Sequence, residues 1–128
     1  MSLVEEQFYF LQDVAKLINF ITDQGYVVTG GELWRPIQMQ RIYVRIGRSK
    51  TMKSYHLRRL AIDLNFFKPV KKPEGSGIVK IGDKYYKLTW SYEDIKPFGE
   101  YWESLNPKNV WGGNFKTFKD VPHFERRV

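Results

Sequence analysis

The sequence predicts a mixed fold of helices and strands, and three observations carry that prediction. Three stretches have helical spacing or a helix-type start, five short runs are rich in β-branched or aromatic residues, and Gly, Pro and Asn punctuate the gaps. With 128 residues, 42% of them hydrophobic, the chain suits a single domain over 1–128 with a real core.

From about residue 4 to 24, Phe8, Leu11, Val14, Ala15, Ile18 and Ile21 recur at three- and four-residue steps, which predicts one apolar helical face, and Gly25 stops it. Tyr26-Val27-Val28-Thr29 reads as a strand broken by Gly30-Gly31. Arg35-Pro36 opens a second helix, with Pro36 where a missing N–H costs little, and Gly47 ends it. Polar residues 48–53 form a loop leading to His56. Leu60 to Phe67 is strand-like, with Asp63 the anomaly: a buried carboxylate needs a partner. Residues 68–76, rich in Pro, Gly and Lys, mark an exposed connection. Ile78–Ile81, Gly82-Asp83 and Lys84–Leu88 read as a hairpin, expected as an appendage with a basic, tyrosine-bearing face. Ser91 caps a third helix, Tyr92 to about Leu105, with Glu93 and Asp94 in its first turn. Asn106-Pro107 ends it, Trp111–Asn114 is a loop, and His123–Arg126 is a short final strand.

Composition narrows the chemistry. The absence of cysteine excludes a thiolate nucleophile, a Cys-ligated zinc and a disulfide framework. A net charge of +7 favours polyanionic surroundings such as nucleic acid, an anionic membrane face or bacterial wall polymers. The first residues lack the basic start and apolar run of a secretory signal, and no segment approaches a membrane span. The expectation is synthesis in the cytoplasm, with delivery by another factor if the target lies outside.

The chain has only two histidines, His56 and His123, and each has a carboxylate nearby, Asp63 and Asp120. Two imidazoles and one carboxylate, with a fourth position left open, are the ligand set of a catalytic zinc site, and a further carboxylate can act as base. His56 and Asp63 are seven positions apart. An unbroken strand would point them to opposite faces, and an unbroken helix would separate them by about 10 Å. The backbone must therefore bend between them, and His123 must arrive on a neighbouring strand.

At these residues the sequence resembles the zinc D-Ala-D-Ala carboxypeptidase and L-alanyl-D-glutamate peptidase family, peptidase family M15, and within it the phage and prophage endolysin branch. The family pattern Ser-x-His-x-x-Gly-x-Ala-x-Asp matches Ser54, His56, Ala61 and Asp63, with Arg59 in place of the glycine. The later acidic-x-x-His element matches Asp120 and His123. An upstream Arg followed five residues later by Gln matches Arg35 and Gln40. Gly47–Lys50, Trp111-Gly112-Gly113 and Pro122–Glu125 also resemble that branch.

The resemblance implies an α+β fold of the Hedgehog/DD-peptidase type, with helices packed on a small antiparallel sheet and a zinc cleft on that sheet. His56, Asp63 and His123 would hold Zn²⁺ with water in the fourth position. Asp120 would take and return the proton, Arg35 would help stabilise the oxyanion, and Ser54 and Gln40 would contact substrate. Arg59 would have to turn the chain in a conformation open to an L-residue or point outward. The implied activity is hydrolysis of a peptidoglycan stem-peptide bond, most naturally L-Ala–D-Glu; the chain is separately expected to be a monomer with no specific nucleic-acid partner.

Three other readings fit parts of the sequence. A D-Ala-D-Ala carboxypeptidase or dipeptidase would use the same machinery. A basic nucleic-acid-binding module would use interleaved Lys and Tyr, as in Lys84–Lys87, but leaves Asp63 and Asp120 unexplained. An inactive wall-binding or phage structural relative would have lost metal ligands, and none is lost.

Overall fold

The computed structural model describes residues 1–128. Helix α1, Leu3–Asp23, starts with a reciprocal cap: the Ser2 hydroxyl accepts from the Glu5 N–H and the Glu5 carboxylate accepts from the Ser2 N–H. Its buried stripe is Phe10, Val14, Leu17 and Ile21, together with Glu6 and Asp13. Two residues of the expected stripe, Phe8 and Leu11, are more than half exposed. The helix is rotated because its polar inward residues have distant partners. Glu6 binds Lys108 at 2.7 Å and Arg126 at 2.8 Å, and Asp13 accepts from Asn109 at 3.0 Å.

Strand β1, Val27–Gly30, is followed by helix α2, Ile37–Arg45, whose N-cap is Pro36; the proline thus stands one residue outside the helix. Strand β2, Ala61–Val70, organises the sheet. Its start pairs with β6 (His123–Arg126), its middle with β1, and its end with β4 (Lys84–Thr89), all antiparallel. Strand β3, Ile78–Ile81, completes the hairpin with β4, and β5, Asn109–Trp111, pairs with β6. The hairpin is therefore part of the main sheet. The segment expected as a loop from Trp111 begins at the end of a three-residue strand and continues as a 3₁₀ turn, Gly112–Asn114.

Helix α3, Tyr92–Leu105, capped by Ser91 as expected, packs with α1 over one face of the sheet. Between them lies an aromatic core that includes Phe66, Phe98, Trp102, Trp111 and Phe124. Gly99 of α3 makes room for the Trp111 ring, since a Cβ there would overlap it. No helix is long and apolar enough to cross a membrane.

Strand alternation sets the site. The period of two that turns Leu64, Phe66 and Phe124 into the core turns Asp63, His123 and Glu125 to the other face.

The Glu6 pairings hold its carboxyl below the usual carboxylate range, chiefly through hydrogen bonds from Lys108 and Arg126. A carboxyl depressed in the folded state stabilises above its unfolded pKa and loses that contribution as pH falls through the folded value. Glu6→Gln, which leaves buried Arg126 without its counter-charge, is expected to lower the Tm at pH 7 by about 5 °C or more. The gap from the parent protein should shrink as the pH drops below 4.5, which thermal melts across pH would check.

Candidate active site

His56 is delivered by a short 3₁₀ turn, Tyr55–Arg58, whose N-cap Ser54 accepts from the His56 N–H. The bend required between His56 and Asp63 occurs at Arg59, in the left-handed region at φ 55° and ψ 38°. That conformation costs an L-residue about 1–2 kcal/mol, which explains a glycine preference at this position. The Arg59 side chain points outward, with its guanidinium over the Trp34 ring at 5.0 Å. The next residue, Leu60, is fully buried and starts the run into β2.

Asp63 of β2 stands directly opposite His123 of β6 in the antiparallel register, on the same face. One carboxylate oxygen, Asp63 Oδ1, lies 3.3 Å from His56 Nε2 and 3.3 Å from His123 Nδ1. Candidate ligand atoms of all three residues fall within 4.8 Å of one another. Residues from two strands and a turn thus converge as the sequence spacing required.

The hydrogen bonds on the far side of each ring show what this trio needs. His56 Nδ1 faces the Leu33 carbonyl at 3.0 Å, and a carbonyl only accepts, so the ring proton sits on Nδ1. His56 Nε2 is then a lone pair, buried and without a hydrogen-bond partner, aimed at the Asp63 carboxylate. His123 Nε2 donates to Glu125 Oε1 at 2.7 Å, so in the neutral ring Nδ1 also turns a lone pair toward Asp63. Two lone pairs and a carboxylate oxygen facing one point are a group that could hold a metal ion, and this donor set fits zinc. A proton can take the same place. Burial alone would lower the His123 pKa, yet Asp63 and Glu125 push it up to about 9. Burial works to raise the Asp63 carboxyl, but the imidazoles of His123 and His56 outweigh it and hold it well below the usual range.

Glu125 was not among the candidate site residues. It is buried, lies one strand alternation beyond His123 on the same face, and also accepts from Arg127. The i, i+2 relation in the last strand was the available signal.

Asp120 Oδ2 lies 3.8 Å from His123 Nδ1, beside the trio and 38% exposed to the cleft. Burial pushes its carboxyl up; His123 pulls it down and Asp63 adds to the rise. Its backbone is fixed from both sides, the Asp120 N–H donating to Gly112 and its carbonyl accepting from His123. Gly112 is required here, because a Cβ would overlap the Asp120 carbonyl.

Arg35 lines the cleft with its guanidinium held rigidly: Nε donates to Glu32 at 2.5 Å, Nη1 to Gln40 at 2.6 Å, and the group stacks on Tyr43. Ser54 also lines the cleft, with its oxygen 3.5 Å from Arg35 Nη1. Gln40, expected to touch substrate, is instead fully buried behind Arg35. Its amide nitrogen donates to Ser49 and to the Thr51 carbonyl, so it positions Arg35 and the 49–51 loop. The cleft itself holds about 650 Å³ and is walled by loop 48–53 on one side and segment 114–118 on the other. The basic hairpin does not border it.

A family model described as D-alanyl-D-alanine carboxypeptidase, one of the M15 peptidases, matches residues 47–126, well over half of the chain. The chain belongs to this family. The match includes His56, Asp63, Asp120 and His123 and starts after Arg35 and Gln40. This M15 peptidase is accordingly a cell-wall peptidase. Its fold is similar to that of the Serratia marcescens L-Ala D-Glu endopeptidase ChiX, with a TM-score of 0.61 at 23% identity over 90% of this chain and 78% of the other. At that identity the likeness speaks for the α+β fold. No curated protein matches the sequence at a significant level.

Proposed function

We propose that this M15 peptidase is zinc-dependent and cuts the L-Ala–D-Glu bond of peptidoglycan stem peptides, with His56, Asp63 and His123 as the zinc ligands. The observation that carries the metal assignment is the buried His56 Nε2, which has no hydrogen-bond partner and faces the carboxylate that His123 also faces. A bound zinc ion supplies Lewis-acid polarisation and a water made nucleophilic near neutral pH.

The chain's own residues do the rest. Asp120, beside the trio and open to the cleft, accepts the proton of the attacking water and returns it to the departing nitrogen. Arg35, already oriented by Glu32 and Gln40, places positive charge where the carbonyl oxygen becomes negative, at no cost in reorganisation. Ser54 can offer its hydroxyl proton to the bound peptide, because its oxygen is already committed to the His56 N–H. Glu125 fixes the tautomer of His123.

The choice of bond is supported by the fold shared with a protein described as an L-Ala D-Glu endopeptidase. The description of the matched family favours a second reading, removal of the terminal D-Ala. Mass analysis of digested muropeptides decides between them. The expected products are a fragment ending in L-Ala and one beginning with D-Glu. Loss of one D-Ala from the pentapeptide, with the L-Ala–D-Glu bond intact, would establish the second reading. The same proposal has the enzyme act on the cell wall or in the periplasm after release or delivery by another factor.

A further inference from the structure

The floor of the cleft carries the acids Asp120 and Glu125, with Asp63 behind them against His123, yet its walls carry six cationic side chains. Two are neutralised within the protein, Arg35 by Glu32 and Arg127 by Glu125. The other four, Arg48, Lys50, Lys53 and Lys116, are exposed and form no ion pair with any carboxylate of the chain. They occupy both walls: three on the loop after α2 and Lys116 on the opposing segment. Two are supported by aromatic faces, Lys50 over Phe118 at 5.5 Å, which spans the two walls, and Arg48 over Tyr43 at 5.4 Å. Such contacts position a cation and leave its charge available.

A neutral amide bond at the floor gives these cations nothing to bind. Negative groups on either side of that bond do. We propose that Arg48, Lys50, Lys53 and Lys116 are specificity-determining residues that select stem peptides by their free carboxylates, so that the enzyme discriminates against the same peptides with the carboxylate amidated. The inference rests on the stem-peptide reading above and adds which chemical form of the peptide is taken. Charges on an exposed rim act mainly on encounter and orientation, so the effect belongs in KM and should weaken with salt.

The test compares L-Ala-γ-D-Glu-L-Lys with its counterpart carrying the Glu α-carboxamide. For the wild-type enzyme kcat/KM is expected to favour the free acid by about 10-fold, the sum of several exposed pairs. In the combined R48Q/K50Q/K53Q/K116Q variant the ratio should fall toward 1, mainly through KM. The charge-reversed K50E/K116E variant should invert it. Titration of the metal-free proteins with the free-acid tripeptide carrying a reduced, uncleavable scissile bond should show the same order of Kd. A wild-type ratio near 1 with both peptides cleaved overturns the selection and leaves the peptidase reading standing. A ratio that survives in the fourfold variant also overturns it, placing discrimination elsewhere. Wild-type enzyme that cleaves neither peptide overturns both.

Discussion

Asp63→Asn should bring zinc content down from one ion per chain to near none and cut kcat/KM on muropeptides by at least ~10³-fold, the scale of losing several kcal/mol of transition-state stabilisation. His56→Ala and His123→Ala should do the same. The reason lies in the arrangement of lone pairs. His56 has committed its Nδ1 proton to the Leu33 carbonyl and His123 its Nε2 proton to Glu125, so each ring, when neutral, keeps one free nitrogen, and both point at the same carboxylate. Replacing that carboxylate with an amide keeps the shape and the backbone bonds of Asp63 to Gly31 and Glu32, but removes the charge that draws a cation to the point. Folding is read separately. A chelator should lower the Tm of the parent protein, because an ion present at 100 times its Kd stabilises by about 2.7 kcal/mol. It should leave the Tm of Asp63→Asn unmoved. A variant that retained a full equivalent of zinc with unchanged turnover would remove Asp63 from the ligand set.

Some of this was legible in the sequence for a physical reason. Histidine occurs twice, and a carboxylate inside an apolar run cannot be buried without a partner, so His56, Asp63 and His123 identified one another before any contact was known. The seven-residue separation demanded a bend, and the chain makes it at Arg59. What stayed hidden depended on distant partners. Glu6 and Asp13 face inward on α1 because Lys108, Arg126 and Asn109, about a hundred residues away, meet them there, and local periodicity favoured Phe8 and Leu11 instead. The hairpin joined the sheet through pairing with the end of β2, which no local pattern encodes. Gln40 was expected at the substrate because the family resemblance pairs it with Arg35, five residues earlier. Its burial follows from a network that closes only when the 49–51 loop folds over it.

Asp120→Asn separates holding the metal from using it. The residue stands 3.8 Å from His123 Nδ1, outside the closer set formed by Asp63 and the two imidazoles, and more than a third of its side chain is open to the cleft. The variant should therefore bind zinc as the parent does while kcat falls by about 10²–10⁴-fold, the usual worth of a positioned acid–base group. KM should change little, because the amide preserves the volume and Gly112 still grips the backbone. Asp120→Glu is the informative companion. A longer arm restores a carboxylate but displaces it from a position set by the turn between Gly112 and His123, so turnover should recover only in part. Full activity in Asp120→Asn would move the proton transfer to another group. Glu125 is then the first to test, although its carboxylate is already engaged by His123 and Arg127 and held below the usual range, against burial, by hydrogen bonds from both. A base needs a carboxylate oxygen that no donor already holds: both Glu125 oxygens are engaged, by His123 and Arg127, whereas the Asp120 carboxylate accepts no side-chain hydrogen bond within the protein and is open to the cleft.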